Sequence, residues 1–453
     1  MRLAVLVVVL ITLVRLMNLL RPPVFGDEGL YCYLGYQINE LPVNQSANLV
    51  LNFWKDAPLL PVANAMALSF FPSPAPLWTC RAAVTLISGI GAIILFNMGG
   101  WWALIFYLLN PFSFFLDRTV LMEPVLNTAV LGFMSMSLWA MKRATKKALM
   151  LTGIATVLML SAKQTAILVL PIPLMFAWFN KSKYRHWKEA AVVIGATGLI
   201  MVGLAVKFTL LWDTAAMHMN VSLDWLRIKT NVWLMANWLI AYWTWLMVPV
   251  IILGWRSKWL LVIAYFMSIF AAVGWTLFPR YLLVIVPFVS LIAGQAAKNT
   301  VGKFLLLGLL AIFVRRDITI LLAPEKAVIA RETRYQFFED WGSGAGTKMA
   351  LGWLGQQQLD LKTVLFVPQD IQGLWVMSTL SFAPQLNLST KFYTTDANLL
   401  NQVEANQHRP IFLIATTHHG QLVNLVKQKY MSNRLFTTNG DNRNSVTIDT
   451  INL

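Results

Sequence analysis

Apolar runs of roughly bilayer length recur from the start of this sequence to about position 322, and they constrain the fold more than any other feature. A helix needs about 20 residues to cross the hydrocarbon core of a membrane. Of the 453 residues, 57% are hydrophobic and 12% are charged, whereas a soluble domain carries about 25% charged residues. The sequence therefore predicts a polytopic α-helical membrane protein with about eleven transmembrane helices, over residues 3–20, 78–96, 101–116, 120–141, 148–161, 165–179, 189–211, 237–254, 259–277, 281–297 and 303–322.

The basic residues are distributed in a way that sets the orientation of these helices. If the N-terminus is cytoplasmic, the inner loops hold almost no acid and a series of cations: Lys142, Arg143, Lys146, Lys147, Lys181, Lys183, Arg185, Lys188, Arg256, Lys258, Lys298 and Lys303. The positive-inside rule then predicts a multi-pass protein with a cytoplasmic N-terminus and an extracytoplasmic C-terminus. We expect the membrane to be a bacterial inner (plasma) membrane. Because the net charge of +16 is spread over short loops, it does not indicate a nucleic-acid partner.

Two long segments fall on the outer side of this predicted membrane. The first outer loop, 21–77, contains two stretches with an amphipathic helical pattern, 27–40 and 59–70, which suit the membrane interface. The two cysteines, Cys32 and Cys80, both lie on this side. They can form a disulfide in an oxidising compartment, or they can be two small apolar residues.

The second outer segment, 324–453, is more polar, and its pattern predicts a small α/β domain. Strands are predicted over 363–367 and 410–415, and helices over 397–405 and 421–430, so strands and helices alternate. The sequence thus predicts two domains, a transmembrane catalytic domain over 1–323 and an extracytoplasmic domain over 324–453.

Acidic residues that could carry chemistry lie near the predicted outer boundary. Asp27 and Glu28 are adjacent and follow the first apolar run. A carboxylate that is partly removed from water suits a general base, although the same pair also suits the N-terminal turn of a helix. Glu123 lies inside an apolar run, where an ionisable group is costly and usually faces a cavity or a partner.

Cations occur at the same predicted face. Each can hold a lipid phosphate, and each can also be an interfacial anchor or a snorkelling side chain. The candidates for phosphate binding are Lys55, Arg118, Lys163 and Arg280, with Tyr281 as a hydroxyl donor next to the last of them. Asp56 follows Lys55 and is a candidate for contact with a metal ion or with the substrate.

The order of these motifs resembles the membrane-embedded GT-C glycosyltransferases, in particular the group of protein O-mannosyltransferases and aminoarabinose transferases. The resemblance implies a sugar donor linked to a polyprenyl phosphate and a hydroxyl acceptor on a glycan, a lipid or a protein. It also implies an inverting transfer in which Asp27 is the catalytic base, Glu28 assists it and Glu123 is the second acidic position.

The segment Lys55-Asp56-Ala57-Pro58 departs from the Lys-Pro-Pro pattern of these transferases. The departure leaves open which of Lys55 and Asp56 points into the site, and whether a divalent metal is bound there. No other cofactor is implied.

Two other classes of function also fit a polytopic membrane protein. One is a transporter or lipid flippase, which would place its charges near the bilayer midplane and break its helices there. The other is a non-catalytic envelope assembly protein, whose outer domain would bind a partner. The outer-boundary position of the charged residues favours the glycosyltransferase.

Overall fold

The structure, a computed structural model, describes most of the chain: residues 1–52, 58–179, 182–208, 224–272, 277–339, 345–357, 363–368, 374–382, 389–393, 396–406, 408–416, 430–437 and 446–452. The chain forms two compact units. The first contains Met1–Asn18, Leu41–Ala63 and Ala82–Ala330, and the second contains Leu19–Glu40, Asn64–Arg81 and Arg331–Leu453. The sequence predicted two domains that are each continuous in sequence, with one boundary at 323/324. In the structure, the second unit also includes two segments from the first 81 residues of the chain.

The first unit is helical throughout its described residues. Its elements are α1 (Arg2–Leu16), α3 (Val43–Asn52), the start of α4 (Leu59–Phe70), most of α5 (Pro76–Leu109), α6 (Pro111–Leu116), α7 (Met122–Arg143), α8 (Lys146–Ala162), a 3-10 helix (Gln164–Val169), α9 (Pro171–Phe179), α10 (Trp187–Phe208), α11 (Trp225–Trp243), α12 (Met247–Leu253), α13 (Trp259–Ala272), a second 3-10 helix (Pro279–Ile285), α14 (Val286–Ala296), α15 (Thr300–Leu322) and a 3-10 turn (Pro324–Lys326).

A tight hairpin of two helices organises the centre of this unit. Helix α7 ends where Ala144 adopts a left-handed conformation with φ of 43°. The next residue, Thr145, accepts a hydrogen bond from the Ala148 N–H at 3.2 Å and so caps α8. Because only these two residues link α7 to α8 and the two helices pack together, the hairpin is antiparallel. The first turn of α7 and the last turn of α8 therefore lie at the same end.

Four helical stretches of the described residues are long and apolar enough to cross a membrane, namely Pro76–Leu109, Met122–Arg143, Trp187–Leu204 and Pro279–Ala296. A fifth is added if Trp225–Trp243 and Met247–Leu253, which meet at an angle of 99°, count as one broken span. By this criterion the described residues give fewer spans than the predicted number of about eleven.

The lower number has a local cause, because several apolar runs are divided into shorter helices. The run 101–116 is interrupted at Asn110, whose side chain accepts the Phe112 N–H at 3.0 Å and starts α6. The run 237–254 is interrupted at Thr244, which has a φ of 65°. The run 101–116 is thus not one helix, and α5 continues across its start from Pro76 with a kink at Gly100.

The second unit contains α2 (Gly26–Glu40), the later part of α4, the first turn of α5 and a small sheet with its helices. After α16 (Arg331–Arg334) and a π-helical turn (Tyr335–Glu339) come α17 (Ala345–Leu354), β1 (Val364–Pro368), α18 (Leu374–Phe382), β2 (Ser389–Tyr393), α19 (Asp396–Glu404), β3 (Ile411–Thr416), β4 (Met431–Thr437) and β5 (Val446–Asn452).

The five strands are ordered β2-β1-β3-β5-β4. Strands β2, β1 and β3 are parallel, which their intervening helices α18 and α19 allow, whereas β5 is antiparallel to β3 and β4. A buried core holds the sheet and α19 together, with Val364, Phe366, Tyr393, Leu399, Val403, Ile411, Leu413 and Ile451.

The sequence analysis located several of these elements. The predicted strands at 363–367 and 410–415 are β1 and β3, and the predicted helix at 397–405 is α19. The amphipathic stretches 27–40 and 59–70 are α2 and α4. The predicted helix at 421–430 lies almost entirely outside the described residues.

Candidate active site

A carboxylate and an ammonium group meet at the open end of the α7–α8 hairpin. Glu123 is in the first turn of α7, where a negative charge is favoured by the helix dipole. Lys163 follows the last residue of α8 in an extended conformation. Its Nζ donates a hydrogen bond to Glu123 Oε1 at 2.6 Å. The two residues are 40 apart in sequence, and the hairpin is what brings them together.

A second cation approaches the same carboxylate oxygen. Arg280 lies in the first turn of the 3-10 helix Pro279–Ile285, which begins with a proline at its first position. Its Nε is 3.8 Å from Glu123 Oε1. The ring of Tyr281 contacts both cations, with its centroid 4.6 Å from Lys163 Nζ and 5.6 Å from Arg280 Cζ, which are distances of cation–π contact.

The resulting cluster of Glu123, Lys163, Arg280 and Tyr281 has the properties of an anion site. Two cations share one carboxylate, so the group carries a single net positive charge. The carboxylate is 7% exposed, whereas the Lys163 and Arg280 side chains are 19% and 12% exposed. The cations are therefore the part of the cluster that an incoming anion meets first. Of the predicted site residues in the first unit, these four come together.

Arg118, the other predicted phosphate ligand among the described residues of the first unit, has different contacts. Its Nε donates to the Arg15 carbonyl at 2.8 Å and its Nη2 donates to the Met17 carbonyl at 2.7 Å. Both carbonyls lie at the C-terminal end of α1, where a cation satisfies groups that the helix itself cannot bond. This geometry favours a structural role for Arg118, and its role in phosphate binding stays a prediction.

The neighbouring Asp117 forms a buried ion pair with α1. Arg15 Nη1 donates to Asp117 Oδ2 at 2.8 Å, and neither side chain is more than 1% exposed. Arg15 Nη2 also donates to the Leu108 carbonyl at 2.6 Å. Both Arg15 and Arg118 lie over the ring of Phe114, at 5.2 and 5.7 Å from its centroid. This pair joins α1 to the loop that precedes α7.

The predicted base and its neighbour lie in the second unit, in the first turn of α2. Asp27 is half-buried. Glu28 is fully buried and receives a two-point contact from Arg81, with Nε to Oε1 at 2.9 Å and Nη2 to Oε2 at 2.7 Å. The Phe25 N–H adds a third hydrogen bond to Oε2 at 3.1 Å. These contacts favour a structural role for Glu28, and its assistance to Asp27 stays a prediction.

Arg81 also binds the segment that leads into α2. Its Nη1 donates to the Leu19 carbonyl at 2.5 Å and to the Pro22 carbonyl at 3.0 Å. Its Nη2 donates to the Pro23 carbonyl at 2.8 Å. With the two bonds to Glu28, these use the five N–H donors of the guanidinium. One arginine thus fixes the backbone on the N-terminal side of Asp27.

Two further contacts of the second unit hold the same segment. A disulfide joins Cys32 of α2 to Cys80 of α5, so the sequence alternative of two unlinked thiols is not observed. Lys348 of α17 donates to the Leu20 carbonyl at 2.8 Å and also to the Arg21 carbonyl. The residues around Asp27 are therefore restrained by α5 and by the C-terminal part of the chain.

Lys55 and Asp56 lie outside the described residues. Among the residues that the structure does describe, no group of three or more His, Cys, Asp or Glu side chains is arranged to hold a metal ion. A divalent metal at Asp56 therefore stays a prediction from the sequence.

The fold as a whole matches solved structures of another protein. The structure of ArnT from Cupriavidus metallidurans in the apo state has a TM-score of 0.57 and 13% sequence identity, over 99% of this chain and 97% of that chain. The structure of the same ArnT bound to undecaprenyl phosphate has a TM-score of 0.54 and 12% identity, with the same coverage. The chain has the ArnT fold. No family model matches the chain, and no curated protein matches it in sequence.

The likeness to ArnT confirms the GT-C-like fold that the order of motifs predicted. It does so across nearly the whole of both chains, including the part beyond residue 300 that the motifs hardly covered. Because the identity is low, the likeness establishes the fold and leaves the assignment of individual residues to their geometry.

Within this ArnT fold, the sequence analysis missed three charged residues of the buried contacts: Arg15, Arg81 and Asp117. Each had a detectable signal. Arg15 is an ionisable group inside the first apolar run, which is costly without a partner. Arg81 is a cation at the predicted outer boundary, where the positive-inside rule does not favour one. Asp117 adjoins Arg118, and only the arginine was considered.

Proposed function

We propose that this protein is an integral membrane glycosyltransferase. It transfers a sugar from a polyprenyl-phosphate donor to an acceptor hydroxyl at the outer face of the cytoplasmic membrane. In the proposed topology about eleven helices cross the bilayer, the N-terminus is cytoplasmic and the C-terminal α/β region is extracytoplasmic.

The observation that carries the proposal is the cluster of Lys163, Arg280 and Tyr281 around Glu123. It places two partly exposed cations at one position, 2.6 and 3.8 Å from a single carboxylate oxygen. A phosphate group suits such a position, since arginine and lysine both bind phosphate oxygens. The ArnT fold supports this assignment, because ArnT has been solved with undecaprenyl phosphate bound.

The proposed reaction is a single displacement with inversion. The acceptor oxygen attacks the anomeric carbon, the bond from that carbon to the donor phosphate oxygen breaks, and the electron pair leaves with the lipid phosphate. Lys163 and Arg280 stabilise the negative charge that develops on the departing phosphate, because their side chains are mostly buried, with 19% and 12% exposed. Asp27 takes the proton of the acceptor hydroxyl as general base.

Transfer of radiolabelled sugar from polyprenyl-phosphate donors to endogenous acceptors in membranes tests this proposal. Wild type is compared with Asp27→Asn. The matched control is Asp224→Asn, because Asp224 is an exposed N-terminal cap of α11 and asparagine caps a helix equally well. We expect transfer in wild type and in the control, and a loss of about two orders of magnitude or more in Asp27→Asn.

The outcomes separate the class of enzyme from its base. Transfer that persists in Asp27→Asn at the wild-type rate would remove Asp27 as the base but keep the glycosyltransferase. An absence of transfer from any donor, with the protein present in the membrane, would contradict the glycosyltransferase and favour a transporter.

A further inference from the structure

The position of Glu123 raises the question of why an anion site contains a carboxylate. Both cations point to the same oxygen, Glu123 Oε1, and its buried position in the first turn of α7 holds it there. A phosphate that binds Lys163 and Arg280 must share or take over these contacts. Glu123 is therefore a competitor for the cations as well as their neighbour.

The charges of donor and product differ, and this makes the competition selective. A sugar linked to a polyprenyl phosphate is a phosphodiester with one negative charge, which balances the single net positive charge of the cluster. The released polyprenyl phosphate is a monoester with a charge of about −1.5 to −2 at pH 7. With Glu123 present, the site is close to neutral when it holds the donor and carries a net negative charge when it holds the product.

The surroundings of the cations allow such an exchange. Lys163 and Arg280 are attached to different helices, Lys163 at the end of α8 and Arg280 at the start of a 3-10 helix. Both contact the Tyr281 ring, and this contact does not depend on Glu123. The ring can thus keep the cations oriented while their ionic partner changes between carboxylate and phosphate.

We propose that Glu123 is a built-in counter-ion that competes with bound lipid phosphate for Lys163 and Arg280 and so weakens binding of the dianionic product more than binding of the monoanionic donor. This inference rests on the proposed function, because it takes the cluster as the site of the donor phosphate.

Binding of lipid probes to the purified full-length protein tests the inference. The probes are undecaprenyl phosphate, its methyl phosphodiester, and undecaprenol as the uncharged control. In wild type, Glu123 offsets one of the two cations, so the affinity for the monoester should exceed that for the diester by no more than about tenfold. A site with two cations and no counter-ion would prefer the more highly charged monoester by a larger factor.

The substitution Glu123→Gln removes the charge and keeps the shape of the side chain. It should raise the affinity for the monoester by about tenfold relative to the diester, because one nearby like charge is lost. The matched control is Glu189→Gln. Glu189 is also in the first turn of a long helix, but it pairs with His186 at 3.2 Å instead of with the cluster. The control should leave the ratio of the two affinities unchanged.

Each result has a distinct meaning. A wild-type preference for the monoester of more than about tenfold, or a Glu123→Gln protein whose affinity ratio stays at the wild-type value, would overturn the counter-ion role. If wild type binds both phosphates no better than undecaprenol, the phosphate site itself is absent, and the proposed function loses its main support. The wild-type comparison needs no variant, so it decides the question even if Glu123→Gln does not fold.

Discussion

Arg81 and Glu28 form a two-point ion pair in which neither side chain is exposed to solvent. The guanidinium of Arg81 also donates to three backbone carbonyls before α2. The pair therefore links the start of α5 to the turn that presents Asp27, and it suggests a first test of how this region is stabilised.

Removing one partner of this pair should be more harmful than removing both. Arg81→Met leaves a buried carboxylate without its two guanidinium hydrogen bonds, and we expect a loss of about 3–5 kcal/mol of stability. The double variant Arg81→Met/Glu28→Gln should recover part of that loss, because the buried charge is gone. Thermal unfolding in detergent is measured for the two single variants, Arg81→Met and Glu28→Gln, and for the double variant. Together with wild type, these give the coupling free energy between the two side chains. Additive effects of the two substitutions would contradict the pairing.

The disulfide between Cys32 and Cys80 should be present in the protein from the membrane. Alkylation of thiols in denaturant without reductant should modify neither cysteine, and alkylation after reduction should modify both, as intact mass shows. Replacing both cysteines by serine should cost about 2–5 kcal/mol of stability. Two alkylated thiols without prior reduction would contradict the disulfide.

Substitution of Arg118 should lower the stability of the protein, whereas substitution of Arg280 should lower its affinity for phosphate. Arg118→Gln removes hydrogen bonds to the end of α1, so we expect a lower melting temperature with phosphate affinity within about twofold of wild type. Arg280→Gln should weaken binding of undecaprenyl phosphate by about tenfold or more. Both quantities are measured on each variant. A loss of phosphate affinity in Arg118→Gln equal to that in Arg280→Gln would restore the role predicted for Arg118 from the sequence.

Lys348 should stabilise the segment before α2. Lys348→Met removes its hydrogen bonds to the Leu20 and Arg21 carbonyls, so amide hydrogen exchange over residues 19–28 should become faster. Lys303→Met is the control, because Lys303 is exposed and belongs to the first unit. Unchanged exchange in Lys348→Met would show that the disulfide and Arg81 suffice.

The sequence identified all four residues of the charged cluster but not its geometry. Glu123 and Lys163 stand out singly, because each is an ionisable group next to an apolar run. That they share one hydrogen bond depends on where α7 begins and α8 ends, and hydrophobic periodicity locates such ends poorly. Arg280 depends in the same way on a 3-10 helix that begins at a proline.

The sequence predicted the fold class and the larger elements of the structure. Composition and the length of the apolar runs gave a helical membrane protein, and alternating patterns gave β1 and β3. The breaks at Asn110 and Thr244 were not predicted, because a polar cap inside an apolar run does not change the mean hydropathy of the run. The contact between Arg15 and Asp117 was also out of reach, since it joins residues 102 apart.

The second unit has a consequence for how the protein is made. Lys348 bonds to a carbonyl 328 positions earlier in the chain, and Ser381 bonds to the Leu77 N–H across 304 positions. The disulfide and the contacts of Arg81 can form once the first 81 residues have been made. The contacts of Lys348 and Ser381 can form only near the end of translation, and such distant contacts form slowly. The segment that carries Asp27 would therefore be restrained in two stages, an early one within the N-terminal residues and a late one that needs the C-terminal part of the chain.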